Sequence, residues 1–232
     1  GEGKEKQVPT NVLLEAVYMS LRNFSFNYLK RENFTQFESM ECLTITESDV
    51  KGVDYDTFSD MEALQELVLT QTRLKNSDLN FVNHPTFKNT LLTIAESPAI
   101  TQLTFNATQT LHQLQSLSLR SNNIDTVAPK IFTELRKLQR LDLSHNRLRT
   151  LDWEALAEPG KLNQLYLEGN ELQTIPHSVH GEFFAVKELK LADNPFHCNC
   201  KLRWMKEFFE EAIDKSLDYE AVSCASPTAA PM

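Results

Sequence analysis

Apolar residues recur along this chain at a spacing of 24 or 25 positions, and each recurrence has the same internal pattern. The clearest units are Leu114, Leu117, Leu119 with Asn122 and Ile124, and Leu138, Leu141, Leu143 with Asn146 and Leu148. They are followed by Leu162, Leu165, Leu167 with Asn170 and Leu172, and by Val186, Leu189, Leu191 with Asn194 and Phe196. The same phase runs back through Leu64, Leu67, Leu69 and Leu74, through Met40, Leu43, Ile45 and Val50, and through Ala16, Met19, Leu21 and Phe26. The weakest unit begins at Asn89, with Leu92, Ile94 and Ala99. Unit starts therefore fall at 16, 40, 64, 89, 114, 138, 162 and 186. The apolar-x-apolar core of each unit has the two-residue period of a strand, with alternate side chains inward. A strand repeated at a fixed interval predicts parallel neighbours about 4.8 Å apart. Later apolar residues such as Val127, Phe132, Leu151 and Leu156 close the core from the opposite, convex side. No unit can bury its apolar face alone, so the expected architecture is a solenoid stabilised by nearest-neighbour stacking.

The residue after each strand separates the chain into halves. Asn122, Asn146, Asn170 and Asn194 hold this position in the last four units; Phe24, Ser48, Thr72 and Ser97 hold it in the first four. An amide can satisfy backbone groups of two adjacent coils at once, so an asparagine ladder is expected in the second half. In the first half Phe24 suggests an aromatic spine beside Phe26 and Phe34.

The last unit runs into Asn194-Pro195-Phe196-His197-Cys198-Asn199-Cys200-Lys201-Leu202-Arg203-Trp204. Leu202, Met205, Phe208, Phe209, Ala212 and Ile213 follow at helical spacing, predicting a helix whose apolar face covers the last coil, with Glu207, Glu210, Glu211 and Lys215 outward. The repeated L-x-x-L-x-L-x-x-N-x-L pattern together with N-P-F-x-C-x-C-x-L-x-W resembles animal extracellular leucine-rich-repeat proteins with a cysteine-rich C-terminal flanking cap. Toll-type ectodomains and secreted insect immune proteins share that mixture. The resemblance implies an α/β solenoid, a leucine-rich-repeat horseshoe with about eight parallel strands on its concave face. It divides the chain into an N-terminal cap or partial repeat (1–15), the repeats (16–193) and the C-terminal cysteine-rich cap (194–232).

The family's cap pairs its first cysteine with its third and its second with its fourth. Carried over, this implies a Cys198–Cys224 disulfide and leaves Cys200 without its partner: either the chain ends inside the cap or it departs from the pattern. Cys42 lies six repeats from Cys200, roughly 30 Å at strand spacing, whereas a bridge needs Cα atoms within about 7 Å. Cys42 and Cys200 are therefore expected to be unpaired or to bond between chains. Cys198-x-Cys200 lacks a second ligand pair at zinc-finger spacing, so a disulfide is the better reading. The spacing of His177 and His180 would suit a metal, but they fall in a convex segment and read as loop surface. No cofactor or metal site is expected.

Charge and composition narrow the partners. Lys and Arg total 23 against 32 Asp and Glu, a formal net charge of −9, which repels phosphate backbones and argues against nucleic acid. No run of eighteen apolar residues exists, so no membrane insertion by this segment is expected. Any signal peptide would already be removed ahead of the polar GEGKEKQVPT. Asn23, Asn33 and Asn106 each begin an N-glycosylation sequon, consistent with an extracellular location as a secreted protein or an ectodomain.

Within the family, ligands usually meet the concave sheet. The phase assigns outward positions there, and two zones stand out. Val68, Leu91, Thr93 and Ala95 form a small apolar zone in repeats three and four; Arg120, Arg140, Asp142, His145, Tyr166 and Glu168 form a polar zone in repeats five to seven. Tyrosine and arginine are common interface anchors. The polar zone is therefore expected to bind a protein ligand, with Tyr166 exposed in the free protein. Asp142, Ser144 and His145 are neighbours dictated by the repeat rather than a catalytic triad, and no enzymatic activity is expected. Within the resemblance, the protein is a recognition module of innate-immune or cell-surface adhesion type. The alternative is a structural oligomer-former, dimerising through Cys42, Cys200 or the N-terminal edge, where Leu13 ends a segment with no cysteine cap.

Overall fold

The computed structural model describes residues 8, 15–84, 91–104, 111–133, 135–153, 156, 162–181, 186–212, 216–218 and 221–226. One parallel sheet of nine strands runs the length of these residues in strict sequence order. Its strands are β1 (Tyr18–Arg22), β2 (Cys42–Thr46), β3 (Glu66–Thr70), β4 (Leu91–Ala95), β5 (Ser116–Ser118), β6 (Arg140–Asp142), β7 (Gln164–Tyr166), β8 (Glu188–Lys190) and β9 (Ser216–Leu217). The first eight are the predicted repeats, one strand each. Equivalent residues pair directly: Leu117, Leu141, Leu165 and Leu189 are in register and point into one core. The unit beginning at Asn89 keeps full register with β3, Leu92 opposite Leu67 and Ile94 opposite Leu69. Its next inward residue is Ile100, fully buried, rather than the exposed Ala99. The additional residue of this 25-residue unit lies between Ser97 and Gln102, because Gln102 pairs with Thr126 at the ordinary interval.

Each coil leaves the sheet by the same left-handed turn. Asn23, Glu47, Gln71, Glu96, Ser121, His145, Gly169 and Asp193, the residue before the ladder position in every repeat, all have positive φ between 49° and 67°. A non-glycine residue resists this conformation. In the first seven coils it is held by a hydrogen bond from the turn N–H to the next coil, for example His145 to the Glu168 carbonyl (2.8 Å) and Gly169 to the Ala192 carbonyl (3.0 Å). The asparagine ladder follows. Asn146 accepts from Ile124 N (3.0 Å) and donates to the carbonyls of Leu119, Leu143 and Ser144, and Asn170 and Asn194 repeat the arrangement. In the first half, hydroxyls do less of the same work. Ser48 accepts from Phe24 N (3.2 Å) and donates to Thr46 O (2.8 Å), while Thr72 and Ser97 share one hydroxyl–hydroxyl bond (2.7 Å).

On the convex side Phe24 stacks on Phe26 (5.6 Å between centroids), as expected, but Phe34 instead joins Phe58 and Phe81 in a separate aromatic row (5.7 and 5.5 Å). At the N-terminal end Val8 is buried in the core, so the chain's own residues contribute cover there; Leu13 lies outside the described residues.

The C-terminal end carries the disulfide Cys198–Cys224, with Cα atoms 5.5 Å apart, while Cys42 and Cys200 are free thiols. Helix α1 (Arg203–Glu211) buries Met205, Phe208 and Phe209, flanked by the buried Leu202 and Ala212, and leaves Glu207, Glu210 and Glu211 outward. Ile213 and Lys215 lie outside the described residues. Trp204 is buried as well, widening the apolar face beyond its expected stripe. Strand β9 was not anticipated: it adds to β8 in parallel, and Asp218 just after it accepts from Leu191 N (2.9 Å) and Ala192 N (2.8 Å). A carboxylate thus replaces the missing next coil and satisfies the final open edge.

Candidate functional site

Of the polar zone predicted in repeats five to seven, Arg140, Asp142 and Tyr166 are brought together, as a bonded layer rather than an open set of side chains. Arg140, Gln164 and Glu188 lie side by side in one register row, and Ser118, Asp142, Tyr166 and Lys190 in the next. The Arg140 guanidinium carbon lies 4.5 Å from the Tyr166 ring centroid, Nη1 donates to the Tyr166 hydroxyl (3.4 Å), and Nη2 pairs with Asp142 Oδ2 (3.7 Å). The Glu188 carboxylate, which accepts from Gln164 Nε2 (2.8 Å), has its pKa lowered by the neighbouring Tyr166 hydroxyl.

This packing overturns the expectation that Tyr166 is exposed: the ring retains only 8% exposure, and Asp142 only 5%. The physical cause is the close spacing of the strands. At about 4.8 Å, a long side chain on one strand lies across its neighbours, so Arg140 shields Tyr166 while Ser118 and Ser144 enclose the Asp142 carboxylate. Burial and, after it, the neighbouring Glu188 carboxylate push the Tyr166 hydroxyl pKa up to about 12. That hydroxyl is the main reason Glu188 stays below the ordinary carboxylate range.

The remaining members differ. Arg120 and His145 are exposed. His145 lies against Gly169, where a Cβ would approach its Nδ1 to 2.5 Å. The Ser144 hydroxyl donates to Asp142 (2.7 Å), so that serine and its carboxylate form a local turn. Glu168 is half-buried, its carboxyl pKa is raised by burial, and its Oε2 has no hydrogen-bond partner among the described residues. Glu188 and Gln164 complete the network but were not singled out from the sequence, although their register beside Arg140 follows from the repeat phase. Asp218 lies outside the repeats and carried no signal.

The apolar zone is more open at its edge. Leu91 is 40% exposed, Val68 and Thr93 are half-buried, and Ala95 is buried. Cys42, on the same face, donates its thiol to Glu66 Oε2 (3.4 Å), and burial pushes its pKa up, which disfavours the reactive thiolate; Cys200 is exposed. Among the sequons, Asn23 is exposed at the first left-handed turn. Asn33 is half-buried and accepts from Lys30 N (2.8 Å), and Asn106 lies outside the described residues. His177 and His180 stack on each other (5.5 Å) and abut Trp204. Among the described residues no group of three His, Cys, Asp or Glu side chains is placed to hold a metal, and no helix is long and apolar enough to cross a membrane.

Residues 112–172 match the leucine rich repeat family model. No curated protein sequence matches the chain. Among solved structures, human 5T4 (Wnt-activated inhibitory factor 1, trophoblast glycoprotein) superposes with a TM-score of 0.74 at 20% identity, covering 96% of this chain and 84% of that one. A chain from the octameric complex of Latrophilin 3, Unc5D and FLRT2, in which FLRT2 is the leucine-rich-repeat component, gives 0.69 at 20% identity, covering 96% and 74%. With one strand per repeat, an asparagine ladder and a disulfide-closed cap, the fold of this chain is a leucine-rich-repeat solenoid.

Proposed function

We propose that the chain is an extracellular protein-recognition module of cell-surface or adhesion type, binding a protein partner on the concave face of repeats five to seven. The observation that carries this reading is the Arg140–Tyr166 stack beside Glu168. The guanidinium is already held in place, and a carboxylate with an unpaired oxygen, Glu168, follows two residues after Tyr166. Such a surface loses little side-chain entropy on binding. A partner presenting a cation to Glu168 relieves its unpaired oxygen. The disulfide fits an oxidising compartment. The similar FLRT2 belongs to a complex with other proteins, and 5T4 is named a glycoprotein, which support a protein partner, an extracellular location and glycans at Asn23. An innate-immune role is the variant of this reading that those two neighbours do not favour.

The test is a binding array of extracellular ectodomains, followed by Arg140→Ala and Glu168→Gln on any partner found. Each substitution is expected to weaken binding by at least about tenfold, as loss of a buried interface charge does. Unchanged affinity in both variants refutes the site. A second reading, a disulfide-linked oligomer, is favoured by one observation, the exposed Cys200 thiol. Size analysis with and without reductant separates the two, because only the oligomer changes mass.

A further inference from the structure

A groove of about 650 Å³ lies away from the concave sheet, between the return segments of repeats six and seven and the cap. Its floor is apolar, formed by Trp153, Ile175, Pro176 and Trp204. Its charged lining is cationic: Arg149 and Lys201 border it, His177 lies beside them, and no carboxylate is among the described lining residues. On a chain of net charge −9 this is a local reversal of sign. Glu171 engages Arg149 from outside the groove, through Nε (2.8 Å), whereas the Lys201 ammonium meets no carboxylate among the described residues.

We propose that this groove docks an acidic peptide segment of a partner protein, with an aromatic or aliphatic side chain against Pro176 and the tryptophan edges and carboxylates on Lys201 and Arg149. Volume and lining suit a few side chains, since pockets of roughly 300–1,000 Å³ hold ligands of that size. Pro176 and the exposed edges of the two largely buried tryptophans supply apolar contact, and the flanking cations select the sign of charge. The site is independent of the concave-face reading, because it uses the return segments and the cap loop instead of the strands.

Trp153 and Trp204 are the chain's two tryptophans, so intrinsic fluorescence reports this groove. The full chain is titrated with an end-blocked pentapeptide of alternating glutamate and phenylalanine, and with its lysine-for-glutamate counterpart. A saturable fluorescence change is expected with the acidic peptide, at least about tenfold weaker with the lysine peptide, and reduced by raised salt. Lys201→Glu and Arg149→Glu, both at exposed positions, are each expected to weaken the acidic peptide about fivefold, consistent with reversing one exposed charge. Equal responses to the two peptides overturn the proposal, as does an acidic-peptide response that neither variant alters.

Discussion

Replacing Tyr166 by alanine tests whether the concave layer of repeats five to seven is packed. Tyr166 is 8% exposed, its ring lies under Arg140 at 4.5 Å, and its hydroxyl accepts from Arg140 Nη1 (3.4 Å). Removing a fully enclosed aromatic ring costs about 3–5 kcal/mol. Here the space opens toward the concave side, where water and Arg140 can refill it, so a loss of about 2–3 kcal/mol is expected. For a chain of this size each kcal/mol lowers Tm by about 2–4 °C, giving a fall of roughly 4–12 °C. Tyr166→Phe separates the ring from the hydroxyl and should lose about 1 kcal/mol, the net value of one hydrogen bond. Leu165→Ala, one residue away and pointing inward, sets the scale for a true core cavity at about 2–5 kcal/mol. Urea unfolding of all three variants against wild type provides the measurement. A Tyr166→Ala stability within about 0.5 kcal/mol of wild type, the range of ordinary surface changes, would refute the packed layer and restore an exposed, freely mobile ring.

The remaining predictions concern the same layer and the turns that support it. Because folding raises the Tyr166 pKa from 10.0 to about 12, its contribution is complete below pH 10 and is lost as pH climbs to 12. The loss is about 2–3 kcal/mol, and Tyr166→Phe should remove this part of the alkaline slope in unfolding experiments. Folding also raises the Glu168 pKa, so the ionised carboxylate opposes folding at neutral pH. Glu168→Gln should therefore stabilise the protein at pH 7 more than at acidic pH, where the carboxyl is already protonated, and equal effects at both would contradict its burial. Asn146→Ala orphans Ile124 N and removes one of two donors from the carbonyls of Leu119, Leu143 and Ser144, which keep Asn122, Asn170 and Ser121 N; it should lose about 2–3 kcal/mol in urea unfolding, against about 1–2 kcal/mol for Ser48→Ala, which also orphans one N–H. Gly169→Ala meets both a φ of 67° and the His145 ring. It should lose about 1–2 kcal/mol, and His145→Ala in the same chain should recover part of that loss; no recovery would show that the backbone conformation alone is responsible.

The sequence by itself determined the solenoid, because a 24-residue period of leucines constrains every coil independently and eight agreeing coils admit one parallel stacking order. Even the weak unit beginning at Asn89 followed, since its neighbours' register leaves it no other place. The identities of the concave residues came from the same phase, and the cap disulfide from the family's cysteine order. What the tertiary structure decided were the properties that depend on contacts between coils. Alternation marks Tyr166 and Asp142 as outward-facing, yet only the lateral packing of Arg140, Ser118 and Ser144 shows that outward on a tightly spaced sheet can still mean buried. The left-handed turn before each ladder residue was invisible because asparagine, glutamate, glutamine, serine, histidine, glycine and aspartate all occupy it; backbone hydrogen bonds to the next coil hold the turn, and these carry no side-chain signature. Strand β9, Asp218 on the last coil and the tryptophan groove lie where the repeat meets the cap. There the period ends, and residues distant in sequence meet only because the chain has folded.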